Sequence, residues 1–318
     1  MATDEVRDGV ELTNLDKKLF DGSQVTKRQL IDYLDAISGR MVPALAGRPL
    51  SVIRVRPGQP PFMQKNLPRY APDWIARTAT WAESSKREVT YANVEDRRTL
   101  LWFANQRAIE YHVSLFGIAD PQHPDYLVMD IDPPEGAGFE QVAQAGLLVR
   151  RALADSGLDG LVKTSGAKGV HVFVPLAPSE TESVAAATRA LAARAERLDP
   201  DLATTAFVRA DRGGKVFLDS TRAGGATVVA TYSPRARAGL PVSFPIPWDD
   251  LTQIEPADFT ITTAVDRLAG RDPWSELMPP VQTLPSELID EGRRIPIARV
   301  QAMHEGKRRA RAARTDAG

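Results

Sequence analysis

The residues best suited to chemistry stand at the end of one apolar run, "YLVMDIDPPEG", Tyr126 to Gly136. Residues two apart on a strand share a face, so Asp130 and Asp132 would project together beside Val128, with Leu127, Met129 and Ile131 on the other side. Their Cα atoms would lie roughly 6.5–7 Å apart, a span that a divalent ion can bridge. Oxygen donors in a chain with no cysteine suit a hard ion, magnesium or manganese. Two solvated carboxylates closing a strand would look the same, and the Asp-x-Asp pair does not separate the two readings.

A second stretch bears on the first. In "KTSGAKGVHVFVP", Gly166 and Gly169 allow a tight turn whose backbone N–H groups can converge on an anion. Ser165 and Lys168 lie on or beside that turn, and His171 enters the next strand with Phe173 on its face. This set would cradle a triphosphate, although a plain hairpin turn with a lysine at its tip and a core histidine account for the same letters. A third carboxylate, Asp219, closes "GKVFLD", where Phe217 and Asp219 face one way and Val216 and Leu218 the other. Three strand-end carboxylates with a glycine turn carrying Lys and Ser are what two-metal phosphoryl transfer needs, since each ion requires anionic oxygens and the site must neutralise a polyphosphate.

The elements that must position these residues alternate irregularly between helix and strand. "TKRQLIDYLDAISGRM" reads as a helix, with Thr26 and Gln29 forming a capping box, Leu30, Tyr33, Leu34 and Ile37 at helical spacing, and Gly39 as its end. "PLSVIRVRPG" alternates as a strand up to Pro57-Gly58. "VEDRRTLLWFANQRAIEYHVSLFG" reads as a second long helix running into an apolar connector. A helix over about Phe139 to Ser156 follows "YLVMDID", then a hairpin in "GLVKTSGAKGVHVFVPL". An alanine-rich helix, "TESVAAATRALAARAERL", precedes strands in "GKVFLDST" and "ATVVATYSP". Helices and hairpins without regular βα alternation imply an α+β fold around a largely antiparallel sheet.

Composition sets outer bounds. The chain has 318 residues, 43% apolar and 25% charged, ordinary for a folded soluble protein. No run of about 18 apolar residues is present, and "MATDEVRDGVELTN" lacks the basic start and apolar core of a signal peptide. The absence of cysteine excludes disulfides and thiolate zinc sites, so a cytoplasmic protein is expected. The formal net charge is −1, but charge is segregated: the start is acidic, and "EGKRRARAARTDAG" is a cationic run expected to be a disordered tail over 306–318.

The first helix adds a separate clue. Lys27 and Arg28 lie in its opening turn, where the helix dipole disfavours cations by a few tenths to about 1 kcal/mol each. Surface helices tolerate that cost, but a bound phosphate would reverse its sign, with Asn14 and Lys17 just upstream to complete a pocket.

Taken together, "LTNLDKKLF", "TKRQLIDYL", "LAGRPLSVIR", "FMQKNLPRYAPDW", "YLVMDIDPP", "KTSGAKGVHVFVPL", "KVFLD" and "TYSPRARAGLPVSFPIPWDDL" resemble, in order, the polymerase domain of bacterial DNA ligase D, a branch of the archaeo-eukaryotic primase superfamily. The resemblance extends to about Met303. It implies a primase-like core over 1–305, with a portion of about 1–115 contacting the DNA 5′ end and template and a catalytic core of about 116–305. It carries over Asp130, Asp132 and Asp219 as acids for two manganese or magnesium ions. Ser165, Lys168 and His171 would hold the incoming NTP or dNTP, joined by His112, Arg212, Arg235 and Arg54. Asn14, Lys17 and Lys27 would receive a downstream 5′-phosphate, and Phe62 would stack on template.

The implied activity is extension of a primer 3′-OH, with a preference for ribonucleotides, in gap filling or end extension at DNA breaks by non-homologous end joining. A monomer acting near the nucleoid beside a DNA-end-binding protein and a separate ligase is expected, since the chain lacks the Lys-x-Asp-Gly ligase nucleophile motif. There are departures from the family pattern. Where the family has two adjacent aromatics, this chain has Phe62-Met63, and after Asp219 it has Ser220, Arg222 and Ala223 in place of an aromatic and a later amide. A primer-initiating primase, a catalytically silent end-binding protein and a metal phosphodiesterase are the alternatives.

Overall fold

The computed structural model describes residues 3–82, 86–224 and 226–297. The basic run 306–318 lies outside them. A hairpin of β1 (Glu5–Arg7) and β2 (Val10–Leu12) leads into α1 (Lys27–Leu45). The strands β3 (Leu50–Arg56), β4 (Gln59–Gln64), β5 (Arg77–Ala82) and β6 (Arg87–Ala92) precede α2 (Arg97–Asn105) and β7 (Ala108–Val113). Then come β8 (Tyr126–Asp132), α3 (Phe139–Ala154), β9 (Leu161–Thr164), β10 (Val170–Pro175) and α4 (Thr181–Leu198). The chain continues through β11 (Ala203–Thr204), β12 (Val216–Asp219), β13 (Val228–Val229), β14 (Pro245–Ile246), α5 (Ala264–Leu268), α6 (Pro273–Leu277) and α7 (Ser286–Arg294).

Two sheets organise these elements. One has the order β11-β12-β8-β10-β9-β14; the other runs β13-β7-β3-β6-β5, with β4 also on β3. Between named strands, β11 and β12 pair in parallel, and the remaining pairs are antiparallel. The α+β fold expected from the sequence is therefore the fold observed. Because β13 comes from residues 228–229, the second sheet is completed by a strand far along the chain.

The first sheet has two different faces. Leu127, Met129 and Ile131 of β8 join Val170, Val172 and Val174 of β10 in the main core, which also holds Val142 and Val149 of α3 and Ala187, Ala190 and Leu191 of α4. Burying each of the valine, leucine, isoleucine and methionine side chains among these contributes about 1.5–3 kcal/mol, which anchors the sheet on its helices. The opposite face carries Val128 and Phe173 in a small separate cluster with Leu115 and Val228. Asp130 and Asp132 belong to this second face, in keeping with the two-residue alternation.

Three local expectations are corrected. Gly39 does not end α1; the apolar stripe continues through buried Met41 and Leu45, and a side chain at position 39 would meet nothing within 4 Å. The glycine thus weakens the helix by only about 1 kcal/mol. The second helix is short: Asp96 caps it by accepting from the Thr99 N–H at 2.7 Å, and Arg107, with φ 60°, breaks it. The following "AIEYHV" is a strand with every residue buried, so its apolar content carries no alternation and mimics continuing helix. Finally, "ATVVATYSP" contributes only the two-residue β13.

Candidate active site

Sheet register sets four ionisable side chains in a row. Asp219 of β12 pairs with Asp130 of β8, Asp130 with His171 of β10, and His171 with Lys163 of β9. Directly opposed residues of antiparallel strands point to the same face. All four are buried. His171 Nε2 lies 3.2 Å from Asp130 Oδ1, and Lys163 Nζ lies 3.1 Å from His171 Nδ1. Asp132, opposite Phe217, projects from the same face two residues on.

Arg222, from a short helical turn at Arg222–Gly224, closes the row at its acidic end. Its Nη2 donates to Asp130 Oδ2 and lies 3.2 Å from Asp219 Oδ2. The other oxygen of Asp219 accepts from the N–H and the hydroxyl of Thr221 at 2.8 and 2.6 Å.

The charges are unevenly compensated. Burial would raise the Asp130 carboxyl, but His171 and then Arg222 outweigh it and hold the group well below the usual carboxylate range. Asp132 goes the other way: burial and then the charge of Asp130 push it up to about 6, Asp219 adds to the rise, and Arg222 and Arg212 only partly oppose it. Burial and then Lys163 bring His171 down to about 4. Burial is the larger cause of that rise and the neighbouring carboxylates the next, a repulsion that a divalent cation would offset.

The donor set, carboxylate oxygens without thiolates, fits a hard ion. The side-chain arrangement is not that of a metal centre, since among the described residues no group of three or more His, Asp or Glu is set to hold one. Arg222 takes the space between Asp130 and Asp219.

The glycine turn is closely constrained. A Cβ on Gly169 would sit 2.2 Å from the Ile131 carbonyl oxygen. At Gly166, φ is +67° and a Cβ would come within 2.7 Å of Arg235 Cγ and 2.9 Å of the Ser243 nitrogen. Two N–H groups of the turn, those of Ala167 and Gly169, are taken by Ser165 Oγ at 3.2 Å each. The serine side chain thus plays the part expected of a bound anion. Lys168 is exposed at the tip.

Glu110, overlooked at the sequence level, ties other expected residues to this turn. It accepts from the Ala236 N–H at 2.9 Å and is ion-paired with Arg235, whose Nε lies 2.9 Å away, and His112 Nε2 lies 2.9 Å from it. Arg235 in turn donates to the Ser165 carbonyl at 2.8 Å. The spacing Glu110-x-His112 on one strand face was the available signal, hidden while this stretch read as helix. Arg212 lies flat on Phe217, 3.6 Å from its ring centroid, and donates to the Ala206 and Phe207 carbonyls. Its charge reaches Asp132 and Asp219.

Two expected groups stand apart from the acid row in their contacts. Arg54 donates to the Gln106 carbonyl, Gln64 and Tyr70 at 2.8, 2.7 and 3.1 Å, and lies 5.9 Å from the Phe62 ring centre. Arg56 lies over the same ring at 4.9 Å, and Met63 is exposed. At the start of α1, the Lys27 N–H donates to the Lys17 carbonyl, and the Lys17 N–H to that of Asn14. The Lys27 ammonium is buried and donates to the Thr13 carbonyl and Asn105 Oδ1, both at 2.6 Å. Burial and then Arg107 bring its pKa down to about 8. Asn105 went unnoticed in the sequence. Arg28 is already offset by Asp16 and Glu5 at 3.3 and 3.1 Å, so its unfavourable position calls for no ligand.

Residues 26–274 match the family model described as "LigD, primase-polymerase domain". The multifunctional non-homologous end joining protein LigD of Mycolicibacterium smegmatis is 34% identical over 278 residues, 86% of this chain and 36% of that protein. The bifunctional non-homologous end joining protein LigD of Bacillus subtilis is 33% identical over 265 residues, 81% of this chain and 42% of that protein. The chain thus spans about two fifths or less of these relatives. Among solved structures, the polymerase domain from Mycobacterium tuberculosis ligase D in complex with DNA is similar with a TM-score of 0.78 and 33% identity, covering 85% of this chain and 97% of that one.

Proposed function

The chain belongs to the LigD primase-polymerase domain family, nucleotidyltransferases of the primase type, and on that premise we propose that it extends a DNA primer 3′-OH across short gaps at breaks. The substrates are NTPs or dNTPs on DNA with a downstream 5′-phosphate. The observation that carries this reading is the row Asp219–Asp130–His171 with Asp132 on the same face. Asp130, Asp132 and Asp219 would hold manganese or magnesium once Arg222 withdraws. When bound, such ions supply charge neutralisation at the attacking and leaving oxygens.

The chain's own residues do the rest. His171, Ser165 and the exposed Lys168 orient the triphosphate, and Lys168 and Arg235 offset charge on the departing pyrophosphate. His112 and Arg212 flank the nucleotide. Lys27 retains one ammonium hydrogen beyond those given to Thr13 and Asn105, and with Lys17 and Asn14 it receives the 5′-phosphate. Phe62, with the Arg54 and Arg56 guanidiniums beside its ring, stacks on a template base. The residues to about 115 handle the DNA 5′ end and template, and those from about 116 carry the chemistry.

No described helix is long and apolar enough to cross a membrane. The protein would work in the cytoplasm at the nucleoid, as a monomer, with an end-binding protein and a ligase as partners. Primer extension on gapped DNA with each nucleotide and metal tests the reading. Asp130→Asn should lower extension on the order of 10²–10³-fold, the usual scale for deleting one group that stabilises transition-state charge; undiminished extension by an Asp130→Ala/Asp132→Ala protein would overturn it. A second reading, a silent end-binding protein, is favoured by Arg222 filling the space between two of the acids. It predicts 5′-phosphate binding with no extension in the same assay.

A further inference from the structure

Lys163 stands in the middle of β9 with no exposed surface, and nothing in the mechanism above uses it. Burial works strongly against an ammonium at such a position and lowers its pKa well below the ordinary lysine value, with Arg235 adding to the fall. What offsets this is the set of groups converging on Nζ. His171 Nδ1 lies at 3.1 Å, the Val229 carbonyl oxygen at 3.0 Å, and the Ser243 hydroxyl in closer contact.

The hydrogens in this cluster can be followed one by one. The Val229 oxygen can only accept. Ser243 Oγ gives its own hydrogen to the Thr164 carbonyl at 2.8 Å, so it too presents a lone pair to the lysine. As an ammonium, Nζ has three hydrogens and no lone pair: two go to these oxygens and the third to His171 Nδ1, which takes the acceptor role. On the far side of the ring, Nε2 lies 3.2 Å from Asp130 Oδ1. Asp130 accepts from Arg222 through Oδ2 and presents Oδ1 to the ring, so Nε2 is the donor in that contact. With the Nδ1 lone pair facing Lys163, the ring carries its hydrogen on Nε2, the side turned to Asp130.

We propose that Lys163 is a positioning residue that holds His171 as the Nε2–H tautomer, so that a hydrogen-bond donor faces the acids and the triphosphate site. Without the lysine, Nδ1 would be left buried with an unpartnered lone pair. The ring would then move its hydrogen to Nδ1 or rotate. In the first case a lone pair would confront Asp130 and the incoming phosphate oxygens, in the second a ring C–H, and the donor is lost in both. The consequence for nucleotides rests on the triphosphate reading of His171, whereas the tautomer assignment does not.

The test uses the full chain with 15N-labelled histidine and long-range 1H–15N spectra, in which the two tautomers give different patterns. The chain has four histidines, and His171→Gln assigns the signal. The unmodified protein should show His171 with a protonated Nε2 and an unprotonated Nδ1. Lys163→Met should lose that single pattern and bind a non-hydrolysable nucleoside triphosphate about tenfold more weakly, the scale of one hydrogen bond to a charged group. Ser243→Ala leaves the lysine–histidine contact in place and should keep the tautomer. An Nδ1–H pattern in the unmodified protein overturns the proposal, even if Lys163→Met does not fold. An unchanged pattern in a folded Lys163→Met protein overturns it as well. A His171→Ala protein that binds the analogue undiminished would instead overturn the triphosphate reading and leave the tautomer assignment standing.

Discussion

One nitrogen of Arg222 serves two carboxylates: Nη2 lies 3.2 Å from Asp219 Oδ2 while donating to Asp130 Oδ2. The two acids come from adjacent strands and would repel each other in so buried a place. The guanidinium therefore does, with one positive charge, what a divalent ion would do with two, and on the reading proposed above the two cations would compete for the same oxygens. Arg222→Gln should bind Mn²⁺ more tightly by on the order of tenfold, a conservative share of the interaction between neighbouring charges at an effective ε of about 20. Electron paramagnetic resonance of free Mn²⁺ measures this directly. Equal or weaker binding by the variant would show that Arg222 does not compete.

Lys27 leads to a pH-dependent prediction. Its folded pKa of about 8 is below the ordinary lysine value near 10.5, so between those two pH values the unfolded chain holds a proton that the folded one has released. Stability rises with pH where the unfolded state binds more protons. Urea unfolding of the wild type should therefore gain on Lys27→Met as pH rises from 7 towards 10, by at most about 3 kcal/mol and by less where solvent screens the charge. A gap between the two proteins that stays constant or widens the other way would contradict this.

The same lysine should make 5′-phosphate recognition fade as its proton is lost. Binding of gapped DNA with and without a 5′-phosphate, measured by fluorescence anisotropy, should differ most below pH 8 and converge above it. Lys27→Gln should remove most of the difference at neutral pH, a loss of about 1.5–3 kcal/mol for one hydrogen bond to a charged group. Equal weakening on DNA lacking the phosphate would argue against the pocket.

Glu110 holds His112, Arg235 and the Ala236 N–H at once from a buried position. Glu110→Ala should cost about 3–5 kcal/mol, the usual range for removing one partner of a buried pair. Glu110→Gln retains hydrogen-bonding capacity and should cost less. In the folded Gln variant the nucleotide KM should rise more than kcat falls, because the residues disturbed are those proposed to orient substrate. A kcat loss with unaltered KM would place Glu110 elsewhere in the mechanism.

The two glycines of the turn should be among the least replaceable residues. Gly169→Ala would drive a methyl against the Ile131 backbone, and backbone cannot move aside as a flexible side chain can. A loss of more than about 4 kcal/mol is expected, in the range reserved for severe core defects. Gly136, with φ +82° and nothing within 4 Å of an added Cβ, supplies the comparison: its alanine variant should cost only about 1–3 kcal/mol, from backbone strain. Thermal unfolding of the pair measures the difference.

Local signals in the chain were enough for several elements. The capping box of Thr26 and Gln29, the alanine-rich α4 over Thr181–Leu198 and the strand carrying Asp130 and Asp132 all follow from spacing within a few residues. Alternation also divided β8 correctly into a core face and an acid face. The stretch "AIEYHV" escaped because a strand buried on both faces has no periodic pattern, and Glu110 escaped with it.

Which acids, bases and cations meet was decided by register. Asp219, Asp130, His171 and Lys163 are separated by up to 89 positions in the numbering yet stand side by side, because three antiparallel pairings align them. Nothing in "DSTRAGG" announces that Arg222 turns back onto two aspartates, and nothing in "LVKT" announces a lysine that points at a histidine. The aspartates and the glycine turn could be named from residue types alone, since chemistry depends on what a side chain carries. Their charges, tautomers and competitors depend on distances of a few ångströms between distant segments, and only the packed sheet determines those.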